Sequence, residues 1–371
     1  MGGGILSAID LFCGCGGISA GLRSAGFNIL AGIDIEPKYI CTFTHNFPES
    51  KSLLLDITNI SPTNFMNSLK IRPGQIDLLV GGPPCQGFSK NVPRKYRYLD
   101  DPRNMLMKCF LDYCEALRPR LILLENVAEM KNGFGQAYTE EILERLEKIK
   151  YTVSHDILNA ANYGVPQLRR RAFFIANNEG IRFQFPTPTH LGQKSLSSLF
   201  PRQNHIKVWE AIGDLPSLQH GGGHDPCPYA REPFSDYQAL MRNKNGQVRN
   251  HIARNLRPTQ YSRLAALKPG QGLKDLPDNL RVKGGYSGAY GRLTKEMTAP
   301  TVTRWVFHPG SGRWGHPEDI RVLTIREVAR IQGFQDSFEF VGTYTQQAGQ
   351  LGNAVPPLLA QQIAKSMLSQ L

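Results

Sequence analysis

The sequence predicts an α/β fold: a mostly parallel sheet covered by helices on both faces, with a second, smaller domain inserted before its last elements. Two observations carry this. Through Asn177, short apolar runs alternate with helix-length amphipathic segments, the pattern of strand–helix units. After Asn177 the composition shifts to Gly, Pro, Asn, Gln, Arg and His with few long periodic stretches, and helical periodicity returns only at Thr324–Phe334 and from Pro357 onward.

The elements follow in order. Ile5–Phe12 is an apolar run ending in the turn CGCGG, and Ile18–Ala25 reads as the first helix. Phe27–Ile33 reads as a strand that stops at Asp34, and Pro37 suits the first turn of a helix reaching about Asn46. Leu53–Leu55 before Asp56 and Ile76–Val80 before Gly81 are two further strands. Asn104–Leu117 is helical, Leu121–Leu124 is a strand ending at Glu125, and Ala137–Lys150 is a charged helix. Strands near Tyr151–Leu158 and over Arg171–Ala176 complete the sheet.

The 371 residues carry a formal net charge of +12, which favours a polyanionic partner without specifying one. The seven cysteines form no CxxC pair, and no basic leader precedes the first apolar run. Free thiols in a reducing compartment are therefore expected. HGGGHDPC, residues 220–227, has the residue types of a zinc site, but a Gly-rich loop containing histidines is the simpler reading, and no metal is expected. No apolar run is long enough to cross a bilayer.

DLFCGCGG places Gly14, Gly16 and Gly17 directly after a strand, where glycine lets backbone N–H groups approach a ligand. Asp34 follows about twenty residues on, at the end of the second strand, the place of an acid that holds ribose hydroxyls. Asp56 suits an adenine amino group, with Ile57 against the ring. Such turns serve NAD, FAD, S-adenosylmethionine or packing alone. The glycines lack the GxGxxG spacing of a pyrophosphate cradle, which favours a cofactor without phosphates.

GGPPCQGFS, residues 81–89, sets Cys85 on a constrained turn. Buried structural cysteines sit within apolar runs, and none follows here. The alternatives are a small turn residue or a nucleophile raised at a strand end. The next stretch, KNVPRKYRYLDDPR, is basic and aromatic, as a loop closing on a polyanion would be. Glu125 follows LILL and is expected to be partly desolvated, or else simply to cap the chain. In QLRRR, strand alternation places Arg169 and Arg171 on one side, suited to a base oxygen, to Glu125 or to solvent.

The ordered set DLFCGCGG, GGPPCQGFS, DPRNML, ENV, QLRRR, RVLTIREVARIQGF and QLGNAVPP closely resembles the cytosine-5 DNA methyltransferase family, over everything outside the middle domain. The resemblance implies a Rossmann-like S-adenosylmethionine-dependent methyltransferase fold with a smaller inserted target-recognition domain. It assigns S-adenosyl-L-methionine, with S-adenosyl-L-homocysteine as product, to Asp10, Phe12, Gly14, Gly16, Gly17, Asp34, Ile35, Glu36, Asp56, Ile57, Pro84, Leu106, Asn353 and Val355. The family more often has Glu at the position of Asp34 and Asp two residues later, the reverse of Asp34 and Glu36 here.

By the same resemblance Cys85 attacks C6 of a flipped-out cytosine, C5 takes the methyl group, and loss of the C5 proton with elimination of the thiol restores the ring. Glu125 contacts N3 and the exocyclic amine, Arg171 holds O2 and steadies Glu125, and Arg169 supports that end of the site. Residues 86–101 resemble the loop that closes over the base. The segment from Arg321 to Asp336 resembles the helix that organises the recognition domain, and mutations there are expected to act through folding.

The expected domains are 1–177, catalytic and cofactor-binding; 178–318, reading DNA sequence; and 319–371, returning to the first. RNKNGQVRNH and LRVKGGYSGAYGRL in the middle part have the composition of exposed recognition loops. The partner is double-stranded DNA and the chain is expected to be a monomer, either paired with a separate cognate restriction endonuclease or acting alone. No endonuclease or regulatory module is expected, which suggests a bacterial or phage-like protein of the cytoplasm, associated with the nucleoid, or a nuclear one if eukaryotic. Three rivals stand: methylation of transfer RNA by the same chemistry, a non-catalytic DNA-binding relative, and an NAD-dependent oxidoreductase.

Overall fold

The computed structural model describes residues 5–84, 105–131, 136–192, 203–282, 284 and 288–371. Cys85 and the loop 86–101 lie outside the described residues. The described chain divides into two compact units. The first holds residues up to Asn159, then Arg170–Thr187 and Ala360–Leu371; the second holds Ala160–Arg169 and Pro188–Leu359.

The first unit is built on a seven-stranded sheet: β1 Ser7–Leu11, β2 Asn28–Asp34, β3 Lys51–Leu54, β4 Leu78–Gly81, β5 Leu121–Val127, β6 Thr152–Asn159 and β7 Arg170–Asn177. Their order across the sheet is β3-β2-β1-β4-β5-β7-β6. Strands β1 to β5 pair in parallel, and β7 runs antiparallel to both neighbours. Strands β4 and β5 are buried on both faces almost throughout, which is why they read as unbroken apolar runs. Edge strand β6 is only partly buried, and its SHD stretch is polar accordingly.

Helices α1 Gly17–Ser24, α2 Pro37–Asn46, α3 Pro62–Leu69, α4 Met105–Leu117 and α5 Gln136–Lys148 accompany the sheet. The core includes Ile9, Leu79, Ile122 and Phe174 from strands with Phe110, Tyr113 and Ile142 from helices. Helix α3 is not legible from apolar spacing. Its signal is Ser61, whose hydroxyl accepts the Asn64 N–H, followed by Pro62 in the first turn.

Strand order reverses at β1, which has β2 on one side and β4 on the other. Ligands bind at such a point, beyond the carboxyl ends of the strands. Asp10, Asp34, Gly81 and Glu125 all lie at or near those ends. Because β7 runs backwards, its first residues lie beside the last of β5: Arg171 opposes Val127 and Phe173 opposes Glu125.

The second unit carries α6 Val208–Ile212, α7 Asp236–Met241, α8 Pro258–Ala265, α9 Ile325–Ile331 and α10 Tyr344–Asn353, with irregular chain between. Every residue of α9 is buried, including Arg326 and Arg330. Thr324 and Glu327 form a capping box on this helix, and Glu327 also receives both Nη groups of Arg321 at 2.8 Å. Arg330 forks onto Asp336, Nε–Oδ1 3.0 Å and Nη2–Oδ2 2.6 Å, and its Nη1 donates to Asp214 and the Ala211 carbonyl. These partners place α9 in the second unit, and only residues from Ala360 belong to the first. The division therefore falls within α11, Pro357–Leu368, and not at residue 319, where composition changes.

Candidate active site

The loop after β1 is bent by backbone that L side chains seldom adopt. Phe12 has φ 65°, and Gly14 and Gly16 have φ 56° and 99°. A side chain at Gly14 would meet no atom within 4 Å, so glycine is required there by conformation rather than by space. The turn closes with Cys13 N–H on the Ile33 carbonyl and Gly16 N–H on the Cys13 carbonyl, both at 2.9 Å.

Two acids serve this loop. Asp34 accepts the Gly14 N–H on Oδ2 and the Glu36 N–H on Oδ1, each at 2.9 Å. Burial raises its carboxyl above the usual range, while those N–H groups pull it back. Asp10 is fully buried, and Oδ2 accepts the Ser19 hydroxyl at 2.5 Å. Burial pushes its carboxyl up to about 7. Its Oδ1 is buried with no hydrogen-bond partner among the described residues.

Beyond Asp34, Ile35 is 59% exposed, an apolar surface beside a polar loop. Glu36 pairs instead with Lys38 at 2.9 Å, so Asp34 is the acid that the loop backbone engages. Asp56 caps the short turn Ile57–Asn59, accepting the Thr58 N–H and hydroxyl and the Asn59 amide. The Ile57 side chain lies in the core, leaving little of it to meet a ring, while its carbonyl accepts the Tyr113 hydroxyl at 3.3 Å. Leu106 is half-buried in the first turn of α4, and Pro84 is exposed.

The turn that leads to Cys85 is fixed from β5. Asn126 Nδ2 donates to the Pro83 carbonyl at 3.1 Å. Gly82 lies against the carboxylate of Glu125: a Cβ there would sit 3.0 Å from Oε2. Glu125 is 9% exposed, the desolvated position expected of it. Its Oε1 lies 3.0 Å from Arg171 Nε, an oriented counter-charge across the β5–β7 pair. Cys13 and Cys114 are buried, with thiols held well above the ordinary range by desolvation, and the Cys15 thiol is pushed up to about 12. Burial keeps these three in the thiol form.

Arg169 does not share the strand with Arg171. Strand β7 begins at Arg170, so alternation does not reach it. Arg169 belongs to the second unit, where it donates to the carbonyls of Val302 at 3.0 Å and Gly352 at 3.1 Å. In the same unit Asn353 is exposed and Val355 buried. His220 Nε2 accepts the Leu256 N–H, and no group of three His, Cys, Asp or Glu side chains among the described residues is gathered as a metal site would be.

Sequence reasoning missed Ser19, Asn126, Gln167 and Gly82. The signals were there. Asn126 follows Glu125 in ENV, and Gln167 opens QLRRR, two residues before Arg169. What sequence could not show is that Asn126 bonds Pro83 and Gln167 bonds Val302, both far along the chain.

The model of the family C-5 cytosine-specific DNA methylase matches residues 6–369. The chain is 36% identical over 366 residues to the Type II methyltransferase M1.HphI of Haemophilus parahaemolyticus, covering 98% of this chain and 87% of that one. It is 35% identical to the Type II methyltransferase M.DdeI of Desulfomicrobium norvegicum, covering 97% and 88%. Among solved structures it resembles a DNA modification methyltransferase encoded within an E. coli prophage, with TM-score 0.77, 25% identity, and coverage of 98% of this chain and 99% of that one. These matches do not favour the transfer-RNA, non-catalytic or oxidoreductase alternatives. The chain belongs to the C-5 cytosine-specific DNA methylase family, enzymes that methylate cytosine in DNA at C5.

Proposed function

We propose that this enzyme methylates C5 of a flipped-out cytosine within a short double-stranded DNA sequence, through a covalent Cys85 adduct, with S-adenosyl-L-methionine as donor. The observation that carries the reading is the Glu125–Arg171 pair beside the Gly82–Pro83 turn. In sequence the turn runs through Pro84 to Cys85, and the acid beside the turn is desolvated and oriented.

The residues around the β1 loop fit the donor. Asp34 has lone pairs left for ribose hydroxyls, Ile35 offers an exposed apolar surface, and the buried Oδ1 of Asp10 is an acceptor for a cation. Gly14, Gly16, Gly17 and Phe12 shape the loop, and Asp56, Pro84 and Leu106 complete the same site, with Ile57 supporting it from the core. Glu36 serves as the neighbouring acid, and the assignment of Asn353 and Val355 to the donor rests on the resemblance alone. When bound, S-adenosyl-L-methionine supplies an electrophilic methyl group and leaves as S-adenosyl-L-homocysteine.

Cys85 adds to C6 as the thiolate, which moves electron density to C5. Glu125 holds N3 and the exocyclic amine, and a proton at N3 stabilises the adduct as it forms. Arg171 fixes the carboxylate by its Nε, gives one Nη1 N–H to the Arg170 carbonyl at 2.8 Å, and offers its other N–H groups to the base oxygen. Loss of the C5 proton and departure of the thiolate restore aromaticity. Arg169 acts as a structural clamp, not as a base contact.

In this reading the first unit is the catalytic domain, and the second reads the sequence. Type II relatives suggest a separate cognate endonuclease, and the chain acts as a monomer. No helix among the described residues is long and apolar enough to cross a membrane, and we place the enzyme in a bacterial cytoplasm with its DNA. The test is base-resolution methylation sequencing of a plasmid incubated with the protein and donor. Methylcytosine at one short motif is expected; label found only in a parallel transfer-RNA pool would overturn the substrate.

A further inference from the structure

Distant pieces of the second unit converge on residues 302–305. Gln167 Oε1 accepts the Val302 N–H at 2.7 Å, and Arg169 Nη1 donates to the Val302 carbonyl. The other end of the same guanidinium holds the Gly352 carbonyl. Gly352 packs so closely that a Cβ there would fall 2.1 Å from the Arg304 nitrogen. On the far side, the Trp305 carbonyl accepts the His308 N–H at 2.9 Å and the Ser311 hydroxyl at 2.5 Å. Gln167 and Arg169, which hold this frame, are buried.

What the frame presents is exposed. The Trp305 side chain is 52% accessible, and Arg304 beside it is exposed, its guanidinium 5.1 Å from the indole centroid. No acidic side chain among the described residues pairs with Arg304. Phe307 lies 5.8 Å from the Trp305 ring, and Arg254 lies 4.8 Å over Phe307. Two rings, Trp305 and Phe307, are thus flanked by two cations, Arg304 and Arg254.

Burying a guanidinium is expensive unless its donors are satisfied. Here two donors of Arg169 are spent on backbone carbonyls, fixing the chain under two solvent-facing residues. An indole face stacks on any base or sugar, and an arginine without an acid neutralises a phosphate. The chain's charge of +12 suits the same occupant.

We propose that Arg304 and Trp305 are a sequence-independent anchor for duplex DNA, Arg304 on a phosphate and Trp305 against the adjoining sugar or base edge. The anchor contributes affinity and orientation, not choice of sequence. It rests on the reading that duplex DNA is the substrate.

The test is fluorescence anisotropy of labelled duplexes with and without the methylated motif, over a salt series, with S-adenosyl-L-homocysteine present. Arg304→Ala should weaken both duplexes by a similar factor and lower the slope of log affinity against log salt by about 1. Arg304→Lys should keep most of that slope. Trp305→Ala should weaken both on the order of tenfold, with Trp305→Phe partly restoring binding. Duplex should also shield Trp305 of the unsubstituted protein from iodide quenching. Unchanged affinity and slope in both alanine variants, beside normal binding by the unsubstituted protein, overturns the anchor and leaves the enzyme's substrate intact. Loss confined to the motif-bearing duplex also overturns it, since that is base reading. Failure of the unsubstituted protein to bind either duplex overturns the substrate reading with it.

Discussion

Glu125 and Arg171 meet diagonally across an antiparallel strand pair, Oε1 to Nε 3.0 Å, because β7 runs against β5 and brings its beginning beside the end of its neighbour. Glu125→Gln keeps the shape and loses the acid. Single-turnover methyl transfer is expected to fall by about 10²–10⁴-fold, with duplex affinity changed only a few-fold. An unaltered rate would remove Glu125 from proton handling.

Cys85→Ser is expected to retain duplex and donor binding and to lose methyl transfer. A duplex with 5-fluorocytosine at the target should trap the unsubstituted enzyme covalently, since fluorine cannot leave as a proton does. Trapping that persists in Cys85→Ala would place the nucleophile elsewhere.

Gly82→Ala tests the close approach behind the turn. The added Cβ would sit 3.0 Å from the Glu125 carboxylate, so that carboxylate or the turn must shift. The maximal rate should fall by more than tenfold, as small misplacements cost in oriented reactions. Titration of the purified variant with donor should show an affinity close to normal; equal loss of both would mean a general folding defect.

Asp10 gives a stability effect of definite sign. Its folded-state pKa, about 7, lies above the ordinary carboxyl value of 3.8 that it has when unfolded, because burial opposes ionisation. The stability this group contributes is present below pH 3.8 and is lost as pH rises through 7. Asp10→Asn should therefore be more stable than the unsubstituted protein at pH 8, by up to a few kcal/mol. It should also bind S-adenosyl-L-methionine more weakly. Thermal melts at pH 5 and 8, with and without the donor, check both; a variant less stable at pH 8 contradicts the assignment.

The second unit carries the opposite dependence. His316 accepts the N–H groups of Glu318 and Asp319 on Nδ1 and faces Glu327, Arg321 and Trp209; burial lowers its pKa to about 4. Its contribution is present above pH 6.5 and lost as pH falls through 4. His251, hydrogen-bonded to Thr324 and the Pro216 carbonyl, is lowered in the same direction. His316→Gln should flatten the acid limb of the unfolding profile between pH 6.5 and 4. An unchanged limb would assign it to the carboxylates.

Strand positions in the first unit were legible because the central strands are buried on both faces, leaving uninterrupted apolar runs such as LLV and LILL. Their ends shifted by a few residues, since the ladder continues through polar Asp34, Glu125 and Asn126. Asp10, Asp34 and Glu125 stood out by ending those runs. Helix α10 was missed because its signal is the Thr343–Gln346 capping box rather than a wide apolar stripe. Arg169 and Arg171 look equivalent in QLRRR, yet one pairs with a strand-end acid and the other with two backbone carbonyls. That difference depends on which distant chain each meets, and sequence spacing carries no record of it.

The ten residues 160–169 belong to the second unit although they connect two adjacent strands of the first. If the second unit reads DNA, as proposed, exchanging it as a cassette between related enzymes changes the DNA word that is marked. A cassette cut only as residues 188–359 would carry Val302 and Gly352 but leave Gln167 and Arg169, their tethers, with the host. The natural unit of exchange is therefore discontinuous, and a chimaera should transplant both pieces together.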